Sequence, residues 1–403
     1  MAWDPPGARL VTASADGTVR VWAIEAVDEV AALDAGVQEF STWSWDGNLL
    51  ITGGYGSHVR GPESGHELCA VNGFAAWNPA GPGLLTVGED GTVRLWETAE
   101  SVSAGEQNGA RVILPGTFGA WSPDGDRVVT ALEDGTARVW DAASGHELCV
   151  LSLSLPDPKR VPWTLARQLV WSPDGARIAT VDQDHRLQVW DADSGAILQE
   201  LPELVDEVEA LWWSPRGTHL VTAGKGDTAQ TWDVSTGAQL AVLSGHGGRV
   251  LHAAWSPDGR RVVTTGNDNT ARVWEAATGL ELTVFSGHAG TVDCAVWNPD
   301  GTIIVSGGWD CKARIWDAAT GRELAVIGGH FDAVRHAAWS PEGTRLAVTS
   351  WGGPARVYDV PLVNMGEAAC DRAVRNMSER EWATHMGTVL YRETCPGKPT
   401  PEE

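Results

Sequence analysis

The sequence predicts an all-β protein, a β-propeller, in which one short four-stranded module is repeated along the chain. Tryptophan gives the first indication, because the 403 residues include 22 Trp but only 5 Phe and 3 Tyr. A repeated string gives the second, since Ala-Trp-Ser-Pro-Asp-Gly stands at 120–125 and again at 254–259. The third is that each copy contains four strand-like segments separated by turn residues, which is the make-up of a propeller blade.

Near-copies of this string define nine repeat units. Each unit is marked by one of nine tryptophans: Trp3, Trp43, Trp77, Trp121, Trp171, Trp213, Trp255, Trp297 and Trp339. The last four intervals between these positions are 42 residues each, from 171 to 213 and onward to 339. A sustained period of this length is the signature of a repeat architecture.

The seventh unit shows how one module is predicted to fold. Four short segments have strand patterns: 250–255, 261–264, 270–274 and 281–285. The string Ser-Pro-Asp-Gly at 256–259 predicts the first turn, because Pro fixes φ and Gly tolerates positive φ. Between the second and third strands, other units carry Asp-Gly at 16–17, 90–91 and 134–135, a pair that favours a tight hairpin.

Two dipeptides give the units a family resemblance. Trp-Asp stands at 140–141, 190–191, 232–233 and 316–317, and Gly-His stands at 245–246, 287–288 and 329–330. The units therefore resemble WD repeats, over roughly residues 1–360, with units three to eight matching best. The resemblance implies a WD-repeat β-propeller domain over 1–360 with seven to nine blades, and leaves open whether the ring closes completely.

The resemblance also implies a structural role for four side chains in each complete unit. A hydroxyl residue precedes the hairpin-turn position by four residues, and the Trp follows the turn Asp by six, as from Asp134 to Trp140. In WD repeats the His, the hydroxyl, the turn Asp and the Trp form one hydrogen-bonded chain. Two complete sets are expected: His246, Thr264, Asp268 and Trp274, and His288, Ser306, Asp310 and Trp316.

Unit two departs from this pattern. It has Gly56 where other units have the turn Asp, and Pro62 at the position predicted for the Trp. The path from Pro62 to Trp77 is 15 residues, against 23 from Trp232 to Trp255, which predicts that a connection between units has been lost.

Residues 361–403 are predicted to form a short helical tail with a disordered end. Ser378 and Glu381 make a capping box, and Trp382 and Met386 share one helix face at four-residue spacing. The tail resembles the one that closes large bacterial multidomain WD-repeat proteins, in which an effector domain or a NACHT-type ATPase lies upstream. The first unit begins within its first strand. Both features predict an N-terminally truncated part of a longer protein; a ring that closes differently is the alternative.

Charge and composition narrow the function. With 29 basic and 53 acidic residues the net charge is -24. Because this charge repels phosphate groups, we expect the protein to bind neither nucleic acid nor anionic membranes. No run of 18 apolar residues occurs, and the six Cys include no C-x-x-C pair, so a cytoplasmic, reduced chain is expected.

No catalytic or metal-binding constellation stands out, and no cofactor is expected. His246, His288 and His330 all occupy the Gly-His position, and no Gly-rich phosphate loop precedes a helix. The prediction is a non-enzyme. The alternative is a hydrolase-like propeller enzyme that uses the central channel, for which His252 and His336 are the pair to examine.

A protein-binding surface is the sharpest functional prediction. The residue before each hairpin-turn position is expected to lie on one face, and three of these residues are aromatic: Tyr55, Trp309 and Trp351. Exposed aromatic residues beside polar groups are typical anchors of protein interfaces. Phe331, Asp332 and Arg335 lie between the last two units and are included in this surface. The alternative is that these tryptophans pack onto neighbouring loops or the tail. The predicted function is thus a scaffold or sensor module of a bacterial signalling or defence-type protein.

Overall fold

The structure is a computed structural model that describes most of the chain up to residue 359. The residues outside this description are 1, 4–8, 14–17, 24–27, 35–37, 47–48, 55–56, 61–66, 72, 89, 99–109, 133, 154–168, 182–185, 202–207, 331, 340–342, 344, 351–355 and 360–403. The predicted helical tail therefore lies outside the described residues. Within them the fold is all-β, as predicted, and the strands form nine antiparallel sheets, one for each repeat unit.

Each sheet is one blade, and its strands A, B, C and D follow one another in chain order. Blade 1 comprises β1 (Ala2–Trp3), β2 (Arg9–Ala13), β3 (Thr18–Ala23) and β4 (Asp28–Asp34). Blade 2 comprises β5 (Gln38–Trp43), β6 (Leu50–Gly54), β7 (Ser57–Arg60) and β8 (Glu67–Val71). Blade 3 comprises β9 (Ala75–Trp77), β10 (Leu84–Val87), β11 (Thr92–Trp96) and β12 (Val112–Pro115).

The middle blades follow the same order. Blade 4 comprises β13 (Phe118–Trp121), β14 (Arg127–Ala131), β15 (Thr136–Asp141) and β16 (Glu147–Ser152). Blade 5 comprises β17 (Leu169–Trp171), β18 (Arg177–Val181), β19 (Leu187–Asp191) and β20 (Ile197–Glu200). Blade 6 comprises β21 (Val208–Trp213), β22 (His219–Gly224), β23 (Thr228–Asp233) and β24 (Gln239–Ser244).

The last three blades complete the series, and three described strands make up the ninth. Blade 7 comprises β25 (Val250–Trp255), β26 (Arg261–Gly266), β27 (Thr270–Glu275) and β28 (Glu281–Ser286). Blade 8 comprises β29 (Val292–Trp297), β30 (Ile303–Gly308), β31 (Ala313–Asp317) and β32 (Glu323–Ile327). Blade 9 comprises β33 (Val334–Trp339), β34 (Arg345–Ser350) and β35 (Arg356–Asp359).

The strand order places the connections on two opposite faces. Turns between strands A and B, and between C and D, lie at one end of the blades, which we call the AB face. Turns between B and C lie at the other end, together with the DA connections that lead to the next blade; we call this the BC face. In blade 7 the AB turn is closed by Ser256, whose Oγ accepts from Arg261 N–H at 2.9 Å, while Gly259 takes a positive φ of 70°.

Successive blades pack through apolar side chains of facing sheets. Between blades 7 and 8, for example, Val263 and Val273 of one sheet contact Ala295, Trp297 and Ile304 of the next in one buried cluster. Similar clusters join blades 2 to 3 and each following pair up to 8 and 9. The core of this protein is therefore a series of layers between sheets, and each blade depends on its neighbours for burial.

A second inter-blade contact recurs at the end of strand A in blades 4 to 8, where the Trp that marks the unit donates to the preceding blade. Trp297 Nε1 donates to the carbonyl of Ala254 at 3.1 Å. The same bond joins four other pairs: Trp121 to Ala76, Trp171 to Ala120, Trp213 to Val170 and Trp255 to Trp212. The 42-residue period is therefore the spacing of a repeated hydrogen bond between sheets.

An arginine of the preceding blade covers some of these indoles. The guanidinium carbon of Arg261 lies 4.6 Å from the centre of the Trp297 ring, and its Nη2 donates to the carbonyl of Gly301 at 2.9 Å. Arg127 and Arg177 lie over Trp171 and Trp213 in the same manner, each at 5.4 Å. Cation–π contact and hydrogen bond together hold the AB turn of one blade to that of the next.

The register of blade 2 shows that the prediction for Pro62 was wrong. Thr52 pairs with His58, six residues later, whereas Thr264 of blade 7 pairs with Arg272, eight residues later. The BC hairpin of blade 2 is therefore two residues shorter, and Arg60 takes the strand position that Trp occupies in blades 3 to 8. The sequence alignment assumed a hairpin of constant length.

The part of the chain that the structure describes contains no helical segment with the length and hydropathy of a membrane span.

The inter-blade indole bond should contribute measurably to stability. Replacing Trp297 with Phe keeps an aromatic ring beneath Arg261 but leaves the Ala254 carbonyl without its indole donor. We expect the free energy of unfolding to fall by about 1–2 kcal/mol, measured by chemical denaturation. Trp45→Phe, at an indole that is 47% exposed in the AB turn of blade 2, is the control and should change stability by less than about 0.5 kcal/mol. Equal effects of the two substitutions would contradict the role of this bond.

Candidate functional site

A buried hydrogen bond links strands B and C in six consecutive blades. In blade 7, Trp274 Nε1 donates to Thr264 Oγ1 at 2.7 Å. The equivalent bonds join Trp96 to Thr86, Trp140 to Thr130, Trp190 to Thr180, Trp232 to Thr222 and Trp316 to Ser306. The six hydroxyl residues are almost completely buried. Each blade from 3 to 8 therefore contains the same internal indole–hydroxyl pair.

In blade 7 the pair is extended by a histidine from the DA connection. His246 Nε2 lies 2.8 Å from Thr264 Oγ1, and His246 Nδ1 lies 3.0 Å from Asp268 Oδ1. The backbone N–H of Gly247 donates to Asp268 Oδ2 at 2.9 Å. The loop that leaves blade 6 is thereby fixed to the BC turn of blade 7.

The direction of each bond follows from the groups involved. The ionised Asp268 can only accept, so His246 donates from Nδ1, and its Nε2 accepts the Thr264 hydroxyl proton. The hydroxyl oxygen in turn accepts from Trp274. Every polar group of this hydrogen-bonded chain then has a partner, which a buried network requires to be stabilising.

Blade 8 repeats this arrangement with a serine. His288 lies 2.8 Å from both Ser306 Oγ and Asp310 Oδ1, and Trp316 donates to Ser306 at 2.8 Å. Ala289 N–H donates to Asp310 Oδ2 at 3.1 Å. The two histidine chains thus hold the BC turns of neighbouring blades in the same way.

Burial sets the charge state of these chains. It lowers the pKa of His246 and of His288 below the ordinary value, against the opposing influence of Asp268 and Asp310. Burial also opposes ionisation of Asp268, but the hydrogen bonds from Gly247, His246 and Thr270 outweigh it and lower the pKa of Asp268 to about 2. A neutral imidazole beside a carboxylate is therefore the stable form.

On the BC face of blade 8, the turn that Asp310 anchors displays an exposed tryptophan. Trp309 is 55% exposed, and its backbone N–H donates to the carbonyl of Thr291 at 2.8 Å. Cys311, two residues on, takes a positive φ of 61°, a conformation that other blades give to Gly91 or Gly135. The turn is therefore held tightly enough to keep the indole at the surface.

One carboxylate joins this tryptophan to the next blade. Trp309 Nε1 donates to Asp293 Oδ2 at 2.9 Å, and Arg335 Nη1 lies 3.0 Å from the same oxygen. Burial raises the pKa of Asp293, although Arg335 and Trp309 both stabilise its ionised form. We call Trp309, Asp293 and Arg335 the Trp309 patch. It combines an indole surface, a half-exposed guanidinium and the carboxyl group that contacts both.

Of the other four residues predicted for this surface, the structure describes one. Asp332 is exposed, and its Oδ1 accepts from the backbone N–H of Ala333 at 2.6 Å. Tyr55, Phe331 and Trp351 lie outside the described residues. Of the predicted set, the structure brings Trp309 and Arg335 together, through a residue that the sequence analysis did not select.

The residue that was missed, Asp293, carried a signal in the repeat. Leu251, Asp293 and Arg335 occupy the same strand A position in blades 7, 8 and 9, at intervals of 42 residues. An acid and a base at equivalent positions of neighbouring blades face each other across the blade interface. A comparison of equivalent positions in successive repeats would have predicted this pair.

The histidines and cysteines that could take part in catalysis lie outside the Trp309 patch. The ring of His252 packs edge-on against Trp212 with a centroid distance of 5.6 Å, and His336 is exposed on the first strand of blade 9. Burial raises the pKa of Cys149 to about 11 and that of Cys294 to about 12, so both thiols are poor nucleophiles at neutral pH. Within the described part of the chain, no three His, Cys, Asp or Glu side chains form a group that could hold a metal ion.

Four-stranded blades with indole–hydroxyl pairs and histidine-anchored turns define a β-propeller repeat protein. The sequence matches the family model "WD domain, G-beta repeat" over residues 1–23, 63–97, 119–141, 144–191, 237–275, 279–317 and 321–359. The chain belongs to the WD40 repeat family. Repeats of this family generally mediate protein–protein interactions, and the proteins that contain them are typically not enzymes.

Two solved structures illustrate the similarity of the fold. It is similar to the computationally designed Ika8 protein, with 22% identity and a TM-score of 0.60 over 88% of this chain and 93% of that one. It is also similar to the C-terminal WD40 domain of Sif2, with 16% identity and a TM-score of 0.59 over 89% and 94%. Both likenesses concern the fold. No curated protein matches the sequence.

The histidine chains predict how stability depends on pH. The unfolded chain binds protons on His246 and His288 below about pH 6.5, whereas the folded state resists protonation because its histidine pKa values are lowered. The stability that the two histidine chains contribute is therefore complete above about pH 6.5 and is lost as the pH falls below that value. We expect the thermal midpoint to decrease as the pH is lowered below about 6.5.

The double variant His246→Gln, His288→Gln tests the assignment. It should be less stable than the wild type at neutral pH and should show a shallower decrease of the thermal midpoint towards pH 5. His146→Gln, at an exposed histidine of blade 4, is the control and should keep the wild-type slope. A double variant with an unchanged slope would assign the pH dependence to other groups.

Proposed function

We propose that this chain is a non-catalytic binding platform for a protein partner and that the partner binds at the Trp309 patch. The observation that carries the proposal is the exposed indole of Trp309, held in place by Asp293. Tryptophan and arginine dominate the binding energy of protein interfaces, and both occur here on adjacent blades. Family membership supports the general role, and the patch supplies the specific surface.

The geometry of the patch favours binding for an entropic reason. A surface side chain that is free to rotate loses about 0.5–1.5 kcal/mol when a partner immobilises it. The Trp309 indole is already restrained by its turn and by the bond to Asp293, and Arg335 is restrained by the same carboxylate. A partner therefore meets a preorganised aromatic surface with a guanidinium at its edge.

We include Asp332, Tyr55, Phe331 and Trp351 in the proposed binding surface. Asp332 and Phe331 precede the first strand of blade 9, near Arg335 in sequence, while Tyr55 and Trp351 occupy BC-turn positions equivalent to Trp309. Their side chains would extend the aromatic and charged character of the patch along the BC face. The net charge of -24 supports a protein partner over nucleic acid or an anionic membrane.

We further propose that the platform works in the cytoplasm as part of a larger bacterial signalling or defence-type protein. The support is the resemblance of the segment over 369–396 to the tails of such proteins. In that arrangement an effector domain would act when the propeller engages its partner. Sequencing the gene and its upstream region tests this proposal, since an open frame that continues into an effector domain is expected, and a stop codon directly upstream would contradict it.

Trp309→Ala tests the binding surface. The partner is first identified by affinity capture and mass spectrometry, then purified and titrated against the variants by calorimetry. Loss of a central aromatic anchor should weaken binding by about 2 kcal/mol, or roughly 30-fold. Arg335→Ala should also weaken binding, by a smaller factor.

Trp45→Ala is the matched control. This tryptophan is 47% exposed but lies in the AB turn of blade 2, on the opposite face of the propeller. It should leave both the affinity and the thermal midpoint unchanged. Equal affinities for the wild type and Trp309→Ala would exclude the Trp309 patch as the binding surface.

A further inference from the structure

We propose that the BC face of blades 3 and 4 contains a second binding site, which takes an arginine or lysine side chain of a partner peptide. The site lies on different blades from the Trp309 patch and rests on different observations. It is a cavity that opens where two DA connections are shortened.

The length of the DA connection differs between the two parts of the propeller. The connections that lead into blades 7 and 8 are each five residues long, 245–249 and 287–291. Each of them carries the histidine that anchors the BC turn. Only 116–117 lead into blade 4, and only 72–74 lead into blade 3. Blades 3 and 4 therefore keep the turn Asp and the indole–hydroxyl pair but lack the histidine loop.

The missing loops leave the turn carboxylates accessible. The side chains of Asp268 and Asp310 are 11% and 6% exposed beneath their loops. Those of Asp90 and Asp134, at the same position in blades 3 and 4, are 51% and 50% exposed. We attribute this difference in side-chain exposure to the histidine loop, which covers the turn Asp in blades 7 and 8.

A cavity of about 640 Å³ occupies this position, a volume suited to a long side chain and its neighbours. Its apolar walls are formed by Phe74, Val87, Pro115, Phe118 and Leu132. Asp90 and Asp134 are the charged groups among the described residues that line it. The cavity is therefore apolar at its walls and negative at two points.

The pairing of these carboxylates inside the blades leaves them ionised. Arg94 bonds to Asp90, and this contact, with the bond from Thr92, lowers the pKa of Asp90 to about 2. Arg138 pairs with Asp134 at 3.3 Å. Neither arginine is among the residues that line the cavity. The two carboxylates that line it are hydrogen-bond acceptors.

Blades 7 and 8 show which chemistry fits this position. There the turn Asp accepts from an imidazole N–H and from a backbone N–H of the covering loop. An occupant of the cavity in blades 3 and 4 must likewise bring N–H donors to the carboxylates. Because two ionised carboxylates line one cavity, a cationic side chain complements it better than a neutral one.

A peptide segment suits the remaining surface. Arginine and lysine place an apolar stem along apolar walls while the charged head reaches polar groups. Phe74, Pro115 and Phe118 would contact such a stem or an apolar neighbour in the peptide. The partner segment would thus replace the covering loop that the chain itself supplies in blades 7 and 8.

The test uses the full chain and three blocked peptides, titrated by NMR. The first is acetyl-Ala-Leu-Arg-Leu-Ala-amide; in the others, citrulline or Glu replaces the Arg. The Arg peptide should bind about tenfold or more tightly than the citrulline peptide, a difference of about 1.4 kcal/mol. It should shift the amide signals of Thr117 and Gly91, which line the cavity. Equal affinity for the Arg and citrulline peptides would overturn the proposal.

Two variants locate the peptide. The double variant Asp90→Asn, Asp134→Asn should weaken Arg-peptide binding about tenfold or more, the loss expected from removing both charges. Thr117→Tyr keeps both carboxylates and fills the cavity, and it should abolish binding without lowering the thermal midpoint. Asp193→Asn, at an aspartate that is 81% exposed on the AB face, is the control and should bind as the wild type does.

Replacement of Gly116 and Thr117 by the segment Gly-His-Ala-Gly-Thr-Val-Asp, as found at 287–293, gives the converse test. It restores a covering histidine next to Asp134 and should raise the thermal midpoint while excluding the peptide. Trp309→Ala should leave Arg-peptide binding intact, which separates this site from the proposed Trp309 patch. Binding that survives Thr117→Tyr but is lost in Trp309→Ala would place the peptide on that patch and overturn the proposal.

Discussion

The hydrogen bond between the strand C indole and the strand B hydroxyl is the interaction on which the central blades, 3 to 8, depend. It recurs in blades 3 to 8 at distances of 2.7–3.1 Å. A hydroxyl buried without a partner would cost about 1–3 kcal/mol, so the bond holds the two strands in one register from inside the blade. Because it makes no use of the DA connection, that connection can change its length and leave the blade intact.

The two halves of the BC face show two results of that freedom. Before blades 7 and 8 the connection carries His246 or His288 and closes over the turn Asp, which fixes the turn that presents Trp309. Before blades 3 and 4 the connection is short and leaves Asp90 and Asp134 exposed beside a cavity. One repeated framework thus supports a projecting aromatic surface in one region and a recessed acidic one in another.

Much of this organisation could be predicted from sequence, because its parts lie close together in the chain. The nine units, their turns and the four-strand pattern follow from short strings, and the His, hydroxyl, Asp and Trp of blade 7 fall within 29 residues, from 246 to 274. Deletions were harder to locate. The interval from Trp77 to Trp121 is 44 residues, close to the usual period, because the long segment from 97 to 111 between strands C and D offsets the short DA connection at 116–117. The shorter hairpin of blade 2 similarly misplaced Pro62, since a position count assumes loops of equal length.

The amino-acid sequence thus determined the blade, since the indole, the hydroxyl and the turn residues that build it recur at fixed short spacings. Contacts between blades required the folded chain. Asp293 joins Trp309 to Arg335 because the first strands of blades 8 and 9 pack side by side. Asp90 and Asp134 line one cavity because the turns of blades 3 and 4 are neighbours with no loop between them. Such contacts depend on how sheets pack and on which connection is absent, and neither is encoded in the spacing within one unit.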